Sequence, residues 1–386
     1  MTTTTRTSNR IIPAQFEVFA GLDVDKKSIA ATFSDHGTLS KSLRLPYSVT
    51  QLLNYVNKHF ADKRIAFVYE AGPTGFGLHD ELQANDHTCL VVTPSTIPTE
   101  PGKRVKTNRL DSKNLSVRLR GGELRGVHVP SRPYRELRHL VQLRDTHTRQ
   151  LAATKCRIKA LLLYEGLEFP SRTGHWNAGT IAALYELPCS SEVRFKLHHL
   201  IGTLYFNFNA AATVQKRIRQ FCQQDPELRQ SIELLTSLPG MGWITAAHAV
   251  ARLGDWRELK NVRQIAGFLG LVSSEHSTGE KVNRGPITRS GDSRLRNKLI
   301  QCAWVAINKD PELRAFYRSV AQRQPKKVAA RKAIVAVARK LTTRICVVLK
   351  EQRPYIVRPD TSVASLTTEE TVGPRERLDA SQSEQL

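Results

Sequence analysis

Several things are missing from this sequence, and each absence excludes something. No stretch approaches the roughly 18 consecutive apolar residues that a membrane-spanning helix requires, so no membrane partner is expected. The opening Met1–Arg6 has no apolar segment behind it and does not resemble a secretory signal. Cysteine is sparse: Cys89, Cys156, Cys189, Cys222, Cys302 and Cys346 are scattered, with no Cys-x-x-Cys pair and no histidine at ligand spacing. That argues against a disulfide framework or a zinc site and for reduced thiols in the cytoplasm. Acid is also short, with 35 Asp+Glu against 58 Lys+Arg, a net charge of +23. Such an excess calls for a polyanion, most often nucleic acid. The hydrophobic content of 40% is ordinary, so the bulk of the chain should fold.

What is there is unevenly distributed. Residues 1–100 carry 9 basic and 10 acidic side chains, a net of −1. Residues 101–160 carry 16 against 4, and residues 241–350 carry 22 against 7. The segment between them balances at 7 and 7. Two basic blocks flanking neutral ones suggest two separate polyanion-facing surfaces.

Residues 1–15 read as a disordered arm. From Phe16 the pattern is β-rich: Glu17–Val24, Ser28–Phe33, a candidate strand at Leu39–Leu45, Ile65–Tyr69 and Cys89–Val92. Helical spacing appears at Val49–Phe60, Gly75–Asn85 and Asn108–Arg120. Strands followed by alternating helix and strand predict an α/β domain over 16–128. Residues 129–233 read as a helical connector, with Leu137, Leu140, Val141, Leu151, Ile158, Leu161 and Leu162 at near-heptad spacing and a return helix at Ala210–Gln224. That pattern fits a long helical hairpin or a dimer-forming coiled coil. Residues 234–354 read as mainly helical, and 355–386 as a disordered tail.

Three constellations could carry chemistry. The first is acidic. Asp23 lies within the first strand, Glu70 ends the strand Ile65–Tyr69, and Asp111 follows the basic stretch containing Lys103, Arg104, Lys106 and Arg109. Carboxylates projecting from strands and a following helix can converge at a sheet edge and hold two Mg²⁺ ions; Asp25 offers a further carboxylate two residues after Asp23. The second is the turn Leu238-Pro-Gly-Met-Gly242, where Gly240 and Gly242 can expose backbone N–H groups to a phosphate, as in helix-hairpin-helix modules. The third is the loop Ser274-Glu-His-Ser-Thr-Gly279, whose hydroxyls Ser277 and Thr278 are candidate nucleophiles. Arg284, Arg289, Arg294 and Arg296 surround it as phosphate binders, and His276 is a possible base. A strand-embedded aspartate or a Ser-Thr-Gly triplet is ordinary by itself; their order in a chain this basic is the stronger signal.

That ordered set resembles the DEDD transposases of bacterial insertion sequences, the one-ten family, over about Phe16 to Tyr355. The motifs are Gly21-Leu-Asp-Val-Asp-Lys26, Tyr69-Glu-Ala-Gly72, Lys106-Thr-Asn-Arg-Leu-Asp-Ser112, the Leu-Pro-Gly-Met-Gly turn, Gly267-Phe-Leu-Gly-Leu271, Ser274–Gly279 and Gly285–Gly291. The resemblance implies an RNase H/RuvC-like α/β N-terminal domain, a coiled-coil-like connector and a mainly α C-terminal domain with a helix-hairpin-helix-like turn. It implies Mg²⁺ at Asp23, Glu70, Asp111 and a fourth position, which here is Asn108, a carbonyl ligand without charge. It implies a serine nucleophile, with the family position on Thr278 and Ser277 preferred as the less hindered primary hydroxyl. It further implies a homo-oligomer acting on element and target DNA, with an element-encoded guide RNA. The expected function is therefore DNA transposition and recombination through a covalent hydroxyl–DNA intermediate. Its alternatives are a RuvC-like endonuclease that uses water, or a nucleic-acid-binding protein without catalysis.

Overall fold

The computed structural model describes residues 10–39, 42–97, 108–258, 261–278 and 283–357, without the side chains of Asn108, Arg109, Glu258, Val262 and Arg263. The chain divides into two compact units, Met1–Val129 and Pro130–Leu386.

In the first unit the elements run β1 (Val18–Val24), β2 (Ser28–Ser34), β3 (Leu43–Pro46), α1 (Val49–Phe60), β4 (Ile65–Glu70), α2 (Gly77–Ala84), β5 (Thr88–Val92) and α3 (Asn108–Arg120). The sheet order is β3-β2-β1-β4-β5. β2 pairs antiparallel with β1 and β3, whereas β1, β4 and β5 are parallel. This is the mixed α/β sheet expected of an RNase H-like domain. Alternation along the strands gives each face its own core. Val18, Ala20, Leu22, Phe67 and Tyr69 meet Leu52, Val56, Leu78 and Leu82 of α1 and α2. Phe19, Ala66, Val68 and Leu90 meet Leu115 and Leu119 of α3 on the other face. Each such fully buried large side chain contributes roughly 1.5–3 kcal/mol. α1 begins where Ser48 caps the Gln51 N–H, and its Leu52–Val56 spacing turns one stripe inward.

In the second unit the elements are α4 (Arg132–Tyr164), α5 (Ala178–Tyr185), α6 (Ser191–Gln224), α7 (Pro226–Thr236), α8 (Trp243–Leu253), α9 (Val262–Phe268), β6 (Ser273–Glu275), β7 (Arg284–Ile287), α10 (Ser293–Lys309), α11 (Pro311–Gln322) and α12 (Lys326–Glu351). α4 and α6 lie antiparallel, cross-linked by Arg144 to Gln215 and His147 to Asn207. The far half of α4 buries Ile158, Leu161 and Leu162 against Leu197, Ile201 and Leu204. Its near half buries Tyr134, Leu137 and Val141 in the larger bundle core. One helix thus belongs to both cores, and the connector and the C-terminal part form one compact unit. Asp225, Asp292 and Asp310 cap α7, α10 and α11, each accepting a backbone N–H that the helix cannot satisfy.

Several expectations change. The return helix starts at Ser191, well before Ala210, and α5 and α7 were not anticipated. The mainly helical C-terminal part contains an antiparallel hairpin, β6–β7. The arm expected to be disordered is ordered at its end, where Pro13–Gln15 form a 3-10 turn. Tyr355, the first residue of the expected tail, is tied down: its N–H donates to Ser237 Oγ at 2.7 Å and its hydroxyl to Asp310 Oδ2 at 2.8 Å. Residues 1–9 and 358–386 lie outside the described residues. Among the described residues no helix is long and apolar enough to cross a membrane.

Candidate active site

In the first unit, Asp23 and Glu70 each follow the Leu22–Tyr69 pair of parallel strands β1 and β4 by one residue. Leu22 and Tyr69 face α1 and α2, so both acids alternate onto the face that carries α3. Asp111 lies in the first turn of that helix. Its neighbour Ser112 is buried and hydrogen-bonds Thr32 of β2 at 2.9 Å, and Ser116 donates to the Phe19 carbonyl at 2.8 Å. These bonds hold α3 against β2 and β1. The contact is close enough that only glycine fits at position 21. Behind Glu70, the buried Tyr69 hydroxyl donates to the Gly75 carbonyl at 3.0 Å and fixes the turn; burial pushes its pKa up.

The fold thus brings Asp23, Glu70 and Asp111, all half-buried, to one end of one sheet face. Oxygen donors alone make a set suited to a hard divalent cation. Among the described residues, no three Asp, Glu, His or Cys side chains are drawn together tightly enough to hold a metal ion. Asn108 opens α3, but its side chain and that of Arg109 lie outside the described set, as do Lys103, Arg104 and Lys106 entirely. Asp25 is not a further strand carboxylate: β1 ends at Val24, and Asp25 is exposed in the turn, accepting the Lys26 N–H at 2.7 Å.

In the second unit the candidate nucleophiles sit beyond β6. Ser277 donates its hydroxyl to Glu275 Oε1 at 2.9 Å and accepts the Asn283 N–H at 3.3 Å. Glu275 Oε2 lies 3.5 Å from Arg284 Nε on the paired strand. Hydroxyl, carboxylate and guanidinium therefore form a short exposed chain. No hydrogen bond reaches the Thr278 side chain among the described residues. Glu275, not His276, holds the serine hydroxyl; His276 uses its backbone N–H on the Asn283 carbonyl. The signal for Glu275 was its place two residues before Ser277, a carboxylate within local reach of the hydroxyl.

The surrounding residues divide. Arg284 and Arg289 are exposed, and Arg294 is half-buried. Arg296 is not available to a phosphate. It is 8% exposed, and its guanidinium donates to the carbonyls of Leu269, Arg289 and Ser290 at 2.9, 3.2 and 3.2 Å. It clamps the two feet of the hairpin. Gly240 packs the turn onto α10: at φ +81°, a Cβ there would stand 2.5 Å from the Cys302 carbonyl oxygen. Gly242 is exposed and is the N-cap of α8, leaving that helix start without a side-chain cap.

Comparison with known proteins matches both units. A DEDD transposase model of the IS110 group covers residues 20–164, and a model described as Transposase IS116/IS110/IS902 family covers residues 232–318. The protein y4qE of Sinorhizobium fredii is 29% identical over 364 residues, 88% of this chain and 87% of the relative. The transposase for insertion sequence element IS1533 of Leptospira borgpetersenii is 22% identical over 299 residues, 75% and 85% of the two chains. The pilin gene-inverting protein of Moraxella bovis is 23% identical over 349 residues, 88% and 98%. With one transposase model on each unit, in the order the motifs run, the chain belongs to the IS110 family of DEDD transposases, enzymes of DNA transposition and recombination.

Proposed function

We propose that the chain cuts and rejoins DNA through a covalent intermediate on Ser277. The hydrogen bond from Ser277 Oγ to Glu275 carries this reading, because it presents a hydroxyl already directed at a base. Glu275 takes the proton as Oγ attacks a backbone phosphorus. The Oγ–P bond forms, the bond from phosphorus to the 3′-oxygen breaks, and the proton passes from Glu275 to that oxygen. To rejoin, a 3′-hydroxyl of another strand attacks the same phosphorus and Ser277 recovers its proton. Arg284 and Arg289, both exposed, offset charge on the transferring phosphoryl group.

Asp23, Glu70 and Asp111, with Asn108 at the fourth position, would hold Mg²⁺, as two ions. When bound, these supply Lewis-acid polarisation of a phosphate oxygen. The partners are element ends and target DNA, with an element-encoded guide RNA on one of the two basic surfaces. The working form is a homo-oligomer in the cytoplasm.

The test is to incubate the full chain with DNA and Mg²⁺, resolve products on a denaturing gel and map any protein–DNA adduct. An adduct on Ser277, lost in Ser277→Ala and kept in Thr278→Ala, is expected. Hydrolysed ends with no adduct would replace this reading with a RuvC-like endonuclease.

A further inference from the structure

The second unit carries a polar cleft of about 510 Å³ that the chemistry above does not use. It lies among α4, α8 and the start of α10 and is lined by His139, His248, Arg252, Asp292 and Arg294. His248 is 1% exposed. Its Nε2 stands 2.8 Å from Asp145 Oδ2, an ion pair short of a directed hydrogen bond, and Lys298 Nζ stands 3.4 Å from Asp145 Oδ1. Burial raises the Asp145 pKa, but His248 and Lys298 outweigh it and hold the carboxyl below its ordinary value. Asp145 is therefore an anion, and it lies on the Nε2 side of the His248 ring. Either ring nitrogen of a histidine can carry a hydrogen and donate it. Nδ1 is buried and has no partner in the protein.

The other groups facing the cleft point the same way. Asp292, its one lining carboxylate, is already committed to Arg252 and to the Leu295 N–H of α10. Arg294 has no ion-pair partner among the described residues, and His139 is exposed. A buried ring nitrogen without a partner, a guanidinium without an ion-pair partner among the described residues and the N-terminus of α10 border this space, alongside the neutral side chains of Gln142, Thr146 and Ser293. A tetrahedral oxyanion suits a guanidinium beside a helix N-terminus and offers further oxygens to a neighbouring imidazole.

We propose that this cleft seats one backbone phosphate of the nucleic acid the chain binds. The inference rests on the transposase reading only for the source of that phosphate. The hairpin that carries Ser277 returns to the cleft through Gly291 and Asp292, so a phosphate held there is bound at the hairpin's foot.

The experiment measures binding of labelled DNA duplex and single-stranded RNA to the full chain by anisotropy across a salt series. Inorganic phosphate, followed by calorimetry, is the third probe. Arg294→Ala should weaken DNA or RNA binding about tenfold at moderate salt and lower the salt slope by about 1, and Arg294→Lys should restore the slope. His248→Gln, checked for folding by circular dichroism, should weaken the same probe, and the double variant should lose less than the two single losses combined. A loss confined to inorganic phosphate overturns the assignment to nucleic acid. Unchanged slopes for all probes overturn the cleft altogether. Adduct formation on Ser277 reports separately on the transposase reading, so the two failures are distinguishable.

Discussion

A β-carbon on Gly21 would stand 2.1 Å from the carbonyl oxygen of Ser112 and 2.4 Å from the amide nitrogen of Ser116. Strand β1 and helix α3 are therefore in direct backbone contact, two residues before Asp23 and one after Asp111. Gly21→Ala cannot be absorbed by a flexible side chain and must push α3 outward. It should cost about 3 kcal/mol, the upper end for overpacking. Strand cleavage should fall further than the folded fraction does, because the displacement parts Asp111 from Asp23. Denaturant unfolding beside a cleavage assay checks this, and wild-type stability in the variant would refute the contact.

Glu275→Gln keeps the shape at the end of β6 but removes the base. Adduct formation should slow by about 10²–10⁴, with DNA affinity undiminished in a gel-shift assay. Single-turnover kinetics provide the check; a rate within a factor of two of wild type would make Glu275 a bystander.

Arg296→Met tests a different role for a basic residue. It leaves three carbonyls without their charged donor, and stability should fall by about 2–4 kcal/mol. Lysine should rescue only part, since it lacks the planar fork. The salt slope of DNA binding should not move, in contrast to Arg294→Ala. Melting curves and salt titrations on the same preparations separate the two arginines.

Asp310 supplies a pH dependence. Its carboxyl is buried, which raises its pKa, but the Leu313 N–H, Tyr355 hydroxyl and Arg344 guanidinium together hold it below the ordinary value of 3.8. The folded pKa lies below the unfolded one, so this stabilisation is complete above about 3.8 and is lost as the pH falls through the depressed value. Asp145 and Asp292 shift in the same direction and share the window. Stability measured by urea unfolding should be flat from neutral pH to about 5 and fall progressively once the pH drops below about 3.8. Asp310→Ala should cost about 3 kcal/mol at neutral pH, the lower end for a broken buried pair, because Arg344 keeps Glu312 at 3.0 Å, and its acid-induced drop should be shallower.

Where local pattern dominates, the chain is readable from sequence. Val49–Phe60 and Asn108–Arg120 form helices with the predicted ends, because a Ser48 cap and a 3.6-residue stripe suffice. The acids on β1, β4 and α3 were likewise visible, since strand alternation and element order decide their face. The hairpin β6–β7 was not: Ser-Ser-Glu is too short and too polar to show a two-residue period, and its pairing with Arg284–Ile287 is a tertiary fact. Arg296 read as one more basic residue, and only its burial shows it bonding backbone. Asp145, His248 and Lys298 lie on three helices far apart in sequence, and no local signal joins them.

The rooting of the hairpin has one more consequence. A Cβ on Gly270 would meet the Ser290 backbone at 2.3 Å and one on Gly291 the Phe268 carbonyl oxygen at 1.8 Å, so the two feet are joined main chain to main chain, with Arg296 across them. Anchorage is thus written in the feet, and the proposed nucleophile Ser277 is carried on them. Changes at Ser277 itself should therefore leave the mounting of the hairpin intact.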